Sequence, residues 1–267
     1  MIVAAAQYSP RETKEESFEV AAALVDRARR AGAELVVLPE FAFFTAMVMD
    51  DAFVESAEDL DGPSVRALQE MSTGGPTIVA GLCERATPGH IYNTLVGVQE
   101  GQVRATYRKL HLYDAFGFKE SDRVIAGDPA AEIETLSVGD HVVGMQTCYD
   151  VRFPEVTRRL VDAGADIIAL PAQWMPGPMK EFHWRSLTTV RAIENTVYVI
   201  ASDQCSPTGA GHSAVIDPLG TSLAALGDQE GIALAEVDAD HLAKVRTVNP
   251  ALQLRRFEVS AKEDGRD

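Results

Sequence analysis

The amino-acid sequence predicts an α/β protein, and three observations carry that expectation. An apolar strand, a helix and a second apolar strand follow one another over about residues 2 to 40, a unit of the same kind covers about 141 to 172, and the closing segments of the two match. Gly32-Ala33-Glu34-Leu35-Val36-Val37-Leu38-Pro39 has its counterpart in Gly164-Ala165-Asp166-Ile167-Ile168-Ala169-Leu170-Pro171, which marks an internal pseudo-repeat. A strand–helix–strand unit implies a right-handed crossover between parallel strands. Parallel strands bring their carboxyl ends to one pole, where ligands bind in open α/β sheets. Glu40 ends the second strand of one copy and Cys148 ends the first strand of the other, so two remote residues can meet there.

In chain order, Ile2 to Ala6 read as a buried strand, and Glu12 to Ala31 as a helix with Phe18, Ala22, Val25 and Ala28 or Arg29 spaced for one face. Gly32 is a natural stop for that helix, and Glu34 to Leu38 form the next strand. Ser64 to Ser72 suggest a helix and Thr77 to Cys83 a strand, followed by a hairpin of Thr94–Gln99 and Val103–Tyr107 turning at Glu100-Gly101. The hairpin runs into Arg108-Lys109-Leu110-His111-Leu112-Tyr113-Asp114 and then an aromatic loop, Phe116 to Ser121. His141 to Met145 read as a strand, and Glu155 to Ala163 as a helix with Pro154 near its first turn, where a missing N–H costs nothing. Lys180 to Asn195 form a long helix and Thr196 to Ala201 a strand. His212–Ile216 and Gly231–Val237 are strands joined by a turn around Asp217-Pro218-Leu219-Gly220. The tail is polar from Lys262 to Asp267, and fraying is expected over 258–267.

With 267 residues, 46% of them hydrophobic, the chain can bury a full core, and one domain over 1–267 is expected. No stretch approaches a membrane span, and the start Met1-Ile2-Val3-Ala4-Ala5-Ala6 has neither the basic leader nor the apolar length of a signal peptide; a soluble, cytoplasmic protein is expected. Three cysteines, at 83, 148 and 205, make no disulfide framework and lack zinc-ligand spacing. A net charge of −16 and a pI near 4.8 argue against nucleic acid and anionic membrane as partners, because both need clustered Lys and Arg. An anionic substrate would need a local cation rather than long-range attraction. No Gly-rich phosphate loop and no H-E-x-x-H pattern is present, so neither a cofactor nor a metal is expected.

Gln146-Thr147-Cys148-Tyr149-Asp150-Val151-Arg152-Phe153-Pro154-Glu155 stands where a strand hands over to a helix. Free N–H groups and the helix dipole there favour a thiolate, the reactive form of cysteine. Alone, Cys148 would equally suit burial as a small hydrophobe. Together with Leu38-Pro39-Glu40 and Tyr107-Arg108-Lys109-Leu110-His111, in that order, the segment resembles the nitrilase superfamily of carbon–nitrogen hydrolases. Phe118-Lys119-Glu120-Ser121, His183-Trp184, Arg191-Ala192 and Gly211-His212-Ser213 extend the resemblance over nearly the whole chain. It implies a four-layer α-β-β-α sandwich, assembly into a homodimer or larger homo-oligomer through helices, and a Glu-Lys-Cys triad of Glu40, Lys109 and Cys148. Glu120 is then the additional active-site glutamate, positioning either the substrate or Lys109.

In that scheme Glu40 takes the thiol proton, Cys148 attacks an amide carbonyl, and water hydrolyses the thioester. The resemblance places Lys109 and the Tyr149 backbone N–H at the oxyanion. Free Cys and Glu differ by roughly four pK units, a mismatch that shrinks if Glu40 is buried and the Lys109 ammonium lies beside the sulfur. His111, His183 and His212 are candidates for the commoner Cys–His pair, although a structural role suits each better. Tyr113, Phe116, Tyr149 and Trp174 either wall a small pocket or pack the core, with Tyr149, Trp174 and Tyr113 taken as substrate contacts. Arg152 and Arg185 either hold a substrate carboxylate or pair with surface acids. The Cys148 flanks resemble the amidase side, including omega-amidases and deaminated-glutathione amidases, so the expected partners are a small amide and water. The alternatives are a nitrile or simple aliphatic amide hydrolase, or a catalytically idle binding protein of the same fold.

Overall fold

The computed structural model describes residues 1–262. The first unit is β1 (Ile2–Gln7), α1 (Lys14–Arg30) and β2 (Ala33–Val37). There follow α2 (Asp51–Ser56), α3 (Pro63–Ser72), β3 (Thr77–Arg85), β4 (Ile91–Gln99), β5 (Gln102–Arg108) and a two-stranded ribbon, β6 (Asp114–Ala115) with β7 (Phe118–Lys119). The second half holds β8 (Leu136–Val138), β9 (His141–Met145), α4 (Pro154–Asp162), β10 (Ile167–Ala172), α5 (Lys180–Asn195), β11 (Tyr198–Asp203) and β12 (Ala214–Ile216). It closes with β13 (Ser222–Ala225), β14 (Gly231–Glu236) and α6 (Ala239–Val248).

The two halves build two six-stranded sheets, ordered β14-β1-β2-β3-β4-β5 and β13-β12-β11-β10-β9-β8. β1 and β2 pair in parallel across α1, and β9 and β10 do so across α4. The pseudo-repeat therefore extends beyond the matching segments, because β3 to β5 and β11 to β13 continue each sheet in the same order. Apolar side chains of both sheets meet in one layer, with Val3, Leu35, Val37 and Val79 against Val143, Met145, Ile167 and Ile200. Alternation along a strand sends neighbouring residues to the opposite face. There Ala4, Val36 and Ile78 pack on Leu24 and Val25 of α1 and Leu68 of α3, while Ile168, Leu170 and Val199 pack beneath α4 and α5. The result is the expected α-β-β-α sandwich.

The helix-1 stripe is turned by about one position: Ser17, Ala21, Leu24, Val25 and Ala28 are buried, Ala22 is half-buried and Arg29 is exposed. Its start is set by Thr13, which forms a capping box with Glu16 and contributes about 1 kcal/mol. The structure corrects three expectations. Gly231–Glu236 does not pair with the 214–216 strand; β13 takes that place, and β14 crosses to β1 in the other sheet. β4 begins at Ile91 rather than Thr94, which brings Asn93 into the strand. A 3₁₀ helix, Cys148–Arg152, separates the sheet from α4, so Cys148 does not sit at the start of the longer helix. Of the tail expected to fray, residues 263–267 lie outside the described residues. No helix among the described residues is long and apolar enough to cross a membrane.

Candidate active site

Glu40 follows β2 in a turn zipped onto β3, with Leu38 N–H donating to Val79 O (2.8 Å), Gly81 N–H to Pro39 O (3.1 Å) and Ala42 N–H to Gly81 O (2.8 Å). Gly81 is required for this approach: a Cβ there would lie 2.7 Å from Glu40 Cα. Lys109 leaves the end of β5, anchored by its N–H on Asn93 O (2.9 Å). Glu120 opens a short 3₁₀ turn after β7, and Cys148 opens the 3₁₀ helix beyond β9 with a left-handed backbone, φ 45°. A β-carbon makes that conformation costly, and such strain collects at functional sites.

These four side chains converge in the interior. Glu40, Lys109 and Glu120 are at most 2% exposed and Cys148 is 6% exposed. Lys109 Nζ donates to Glu40 Oε1 (3.0 Å) and to both oxygens of Glu120 (3.0 and 2.9 Å). Asn93 Nδ2 bridges the same carboxylates, donating to Glu40 Oε1 (2.6 Å) and Glu120 Oε1 (3.1 Å). Tyr113 N–H donates to Glu120 Oε2 (2.6 Å), and Gln173 N–H to Glu40 Oε2 (2.7 Å). The Cys148 thiol donates to Gln173 O at 3.6 Å. Gln173 therefore touches the sulfur with its carbonyl and Glu40 with its amide.

Two carboxyl groups face one ammonium in this cluster, and the shifts of its members follow from that company. Burial pushes the Cys148 thiol well above its ordinary value, the Glu40 charge adds to the push, and Lys109 opposes it. The resting sulfur is a thiol, not the thiolate expected from a helix start. Burial alone would lower the Lys109 ammonium, but Glu120 and Glu40 outweigh it and hold it well above the ordinary lysine range. Burial raises the Glu120 carboxyl and Lys109 draws it back in part. Such an array keeps its lysine charged while a proton moves between sulfur and a carboxylate.

Tyr113, Tyr149 and Trp174, the expected substrate contacts, line a small pocket with Cys148, Gln173, Met175 and Lys180. Phe116 lies outside at 70% exposure. The histidines are engaged elsewhere: His111 binds Asp150 Oδ1 (2.9 Å) and stacks on Phe153, His183 contacts Arg152, and His212 lies between Arg185 and Glu181. Arg185 is thus tied to His212, and of the two arginines only Arg152 reaches the pocket wall, over the Trp174 ring at 4.8 Å. No group of His, Cys, Asp and Glu among the described residues could hold a metal ion. Cys83 is buried, its thiol pushed up to about 12 by that burial, and Cys205 is buried beneath Ser9.

Sequence reasoning missed Asn93, Gln173, Lys180 and Asp203. The one signal was a polar pair, Asn93-Thr94, inside an apolar strand. Asp203, fully buried at the end of β11, accepts the Trp174 N–H on Oδ1 (2.7 Å), while its Oδ2 has no partner among the described residues. Burial raises this carboxyl well above its ordinary value, which favours its neutral form, and it works as an acceptor that fixes the 173–174 segment. Asp203→Asn is accordingly expected to stay within about 1 kcal/mol of the parent, and Asp203→Ala to lose about 1–3 kcal/mol, read from urea unfolding. An Asn variant as damaged as the Ala variant would contradict a neutral acceptor.

A family model described as carbon-nitrogen hydrolase matches residues 2–247. The deaminated glutathione amidase of Escherichia coli O157:H7 is 38% identical over 258 residues, covering 96% of this chain and 98% of that protein. The deaminated glutathione amidase of Synechocystis sp. (strain PCC 6803 / GT-S) is 37% identical over 281 residues, with 96% and 98% covered. The crystal structure of Saccharomyces cerevisiae Nit3, a member of branch 10 of the nitrilase superfamily, superposes with a TM-score of 0.84 at 28% identity, covering 96% of this chain and 97% of that one.

Proposed function

The chain belongs to the carbon–nitrogen hydrolase family, and from that premise we propose that it is an amidase whose nucleophile is Cys148, whose general base and acid is Glu40, and whose cation is Lys109. The observation that carries the assignment is the single buried cluster in which Lys109 Nζ lies 3.0 Å from Glu40 Oε1 while Gln173 links Glu40 to the Cys148 sulfur. Glu40 accepts the thiol proton as the sulfur attacks the amide carbon, and the developing oxyanion is held by Lys109 and by N–H groups of the first turn at Cys148-Tyr149, which have no intrahelical acceptor. The C–N bond then breaks, and Glu40 returns its proton to the departing nitrogen as ammonia leaves. Water, deprotonated by Glu40, attacks the thioester; the C–S bond breaks, the sulfur is reprotonated and a carboxylic acid is released.

Glu120 fits a positioning role, since both its oxygens grip Lys109 and no pocket wall is formed by it. The relatives' names put deaminated glutathione first among candidate substrates, and the Cys148 flanks add omega-amido acids, ahead of nitriles and simple aliphatic amides. Exposed Phe182, Val190 and Ile193 on α5 support the expected assembly through helices.

Incubation with a panel of omega-amido acids, deaminated glutathione and aliphatic amides is expected to release ammonia and to give a Cys148 acyl adduct by intact mass. Neither product from any compound would favour the idle binding protein instead.

A further inference from the structure

The acid and the amine of the site come from the first half of the chain, and the sulfur from the second. Lys109 is held by Asn93 O on its N–H (2.9 Å), by the Gly127 N–H on its carbonyl (2.8 Å), and by Glu40 and Glu120 on its ammonium. Cys148 opens a turn that follows β9, in the other sheet. Gln173 ties the acid to the sulfur, and a second tie reaches the amine. Asp150, just beyond Cys148 and fully buried, extends to both sides of Lys109. Its Oδ2 accepts from Tyr107 Oη (2.6 Å) and its Oδ1 from the His111 N–H (3.0 Å), with His111 Nδ1 2.9 Å from the same oxygen.

These contacts exceed what the turn itself requires. Within the turn the Asp150 N–H donates to Thr147 O (3.0 Å), and Oδ2 takes the Thr147 N–H only at 3.4 Å. The shorter bonds to the carboxyl come from residues 39 and 43 positions away in the chain. A buried carboxyl is costly unless donors surround it, so all of these donors help to hold Asp150 in place. Burial and the Asp150 charge push the Tyr107 phenol well above its ordinary value, and the hydroxyl stays a donor. The oxygen facing His111 likewise places the ring proton on Nδ1. That ring stacks on Phe153 with centroids 3.7 Å apart, and the Phe153 N–H donates to Asp150 O (2.9 Å), so both ends of the turn are fastened to the 107–111 segment.

We propose that Asp150 is a positioning residue, held by Tyr107 and His111, that keeps the Lys109 ammonium and the Tyr149 N–H aimed at one oxyanion position; this rests on the amidase reading of Cys148. The tetrahedral oxygen must meet two donors carried by different sheets, and neither sheet alone sets their separation. A misplacement of about 1 Å at such a site costs roughly a hundredfold in rate. Proton transfer from the thiol to Glu40 runs through other contacts. The clasp therefore governs how well the oxyanion is held and leaves activation of the sulfur alone.

The clasp is tested with butanal and iodoacetamide on Asp150→Asn, Tyr107→Phe and His111→Phe. Butanal adds reversibly to the thiol: the S–C bond forms, the carbonyl π bond opens, and the thiol proton passes by way of Glu40 to the new oxygen, which takes the oxyanion position. Iodoacetamide forms an S–C bond with loss of iodide and makes no oxyanion. Asp150→Asn and Tyr107→Phe are expected to weaken butanal, read by protection of Cys148 from alkylation, by about ten- to hundredfold, while alkylation without butanal stays within about twofold. Tyr107→Phe keeps its ring in place and reads the clasp even where Asp150→Asn does not fold. His111→Phe keeps the stack and should lose affinity in the same way, and His111→Asn, whose amide nitrogen falls near Nδ1, should recover most of it. Alkylation and butanal affinity falling together, unchanged butanal affinity in the variants, or no protection of the parent by butanal would overturn the clasp. Ammonia release reads the amidase assignment separately, and in the variants kcat should fall with KM nearly constant. A parent that releases no ammonia from any amide, but whose butanal affinity still depends on Tyr107 and His111, sinks the assignment alone.

Discussion

Replacing Cys148 by alanine is expected to abolish ammonia release from every amide substrate, a loss of at least roughly ten-thousandfold, with no acyl adduct at any time. The stability cost should stay near 1 kcal/mol, because the thiol makes one weak hydrogen bond, at 3.6 Å, and alanine is the smallest side chain that keeps the Cβ. Separating these two readouts matters in a buried cluster, where inactivity could otherwise follow from unfolding. Glu40→Gln supplies the complementary case. Its amide oxygen can still accept from Lys109 and Asn93, although its NH2 then faces the Gln173 N–H where an acceptor stood; it takes up no proton, so acylation should fail while the thiol persists. Normal turnover by Cys148→Ala would remove the nucleophile from the scheme.

Lys109→Met is expected to be the most destabilising single substitution at the site, by about 3–5 kcal/mol, because it leaves two carboxylates buried together without a cation. Asn93 Nδ2 still donates to both, but it carries no charge. The deficit should depend on pH, and its sign follows from Glu120. Its carboxyl is already raised by burial, and losing Lys109 removes the charge that draws it down. A carboxyl raised in the folded state favours folding below its unfolded value, about 4.3, and loses that contribution as pH rises through the folded value. Measured against the parent by urea unfolding, the variant should therefore be least impaired in acid and most impaired at neutral pH and above. A deficit that stayed the same across that range, or lay under 1 kcal/mol, would show that the two acids do not share a buried site with Lys109.

The α/β class and the doubled strand–helix–strand unit were legible in the sequence, as were the four residues proposed for the site, each for a local reason. Strands and helices announce themselves by period, as in Ala33–Val37 and Ile167–Ala172, and Gly32 and Pro154 mark helix ends by backbone chemistry. Glu40, Lys109 and Cys148 were found because each stands at the end of a strand within a short segment shared with a known superfamily. Asn93 escaped because no local pattern separates a strand residue facing an active site from one facing solvent. β14 was assigned the wrong neighbour for a similar reason: strand character is local, but which sheet a strand joins depends on where remote β1 presents a free edge.

What the chain by itself determined is which residues can do this chemistry and in what order they occur: an acid, an amine and a sulfur, each just beyond a strand. Tertiary structure alone decided their charge states and their company. Burial made Cys148 a resting thiol and favoured a neutral Asp203, Gln173 joined Glu40 to the sulfur, and Asp150 joined the Lys109 segment to the Cys148 turn. The physical reason is that desolvation and charge coupling depend on distance in space and on shielding from water, and neither is encoded by separation along the chain.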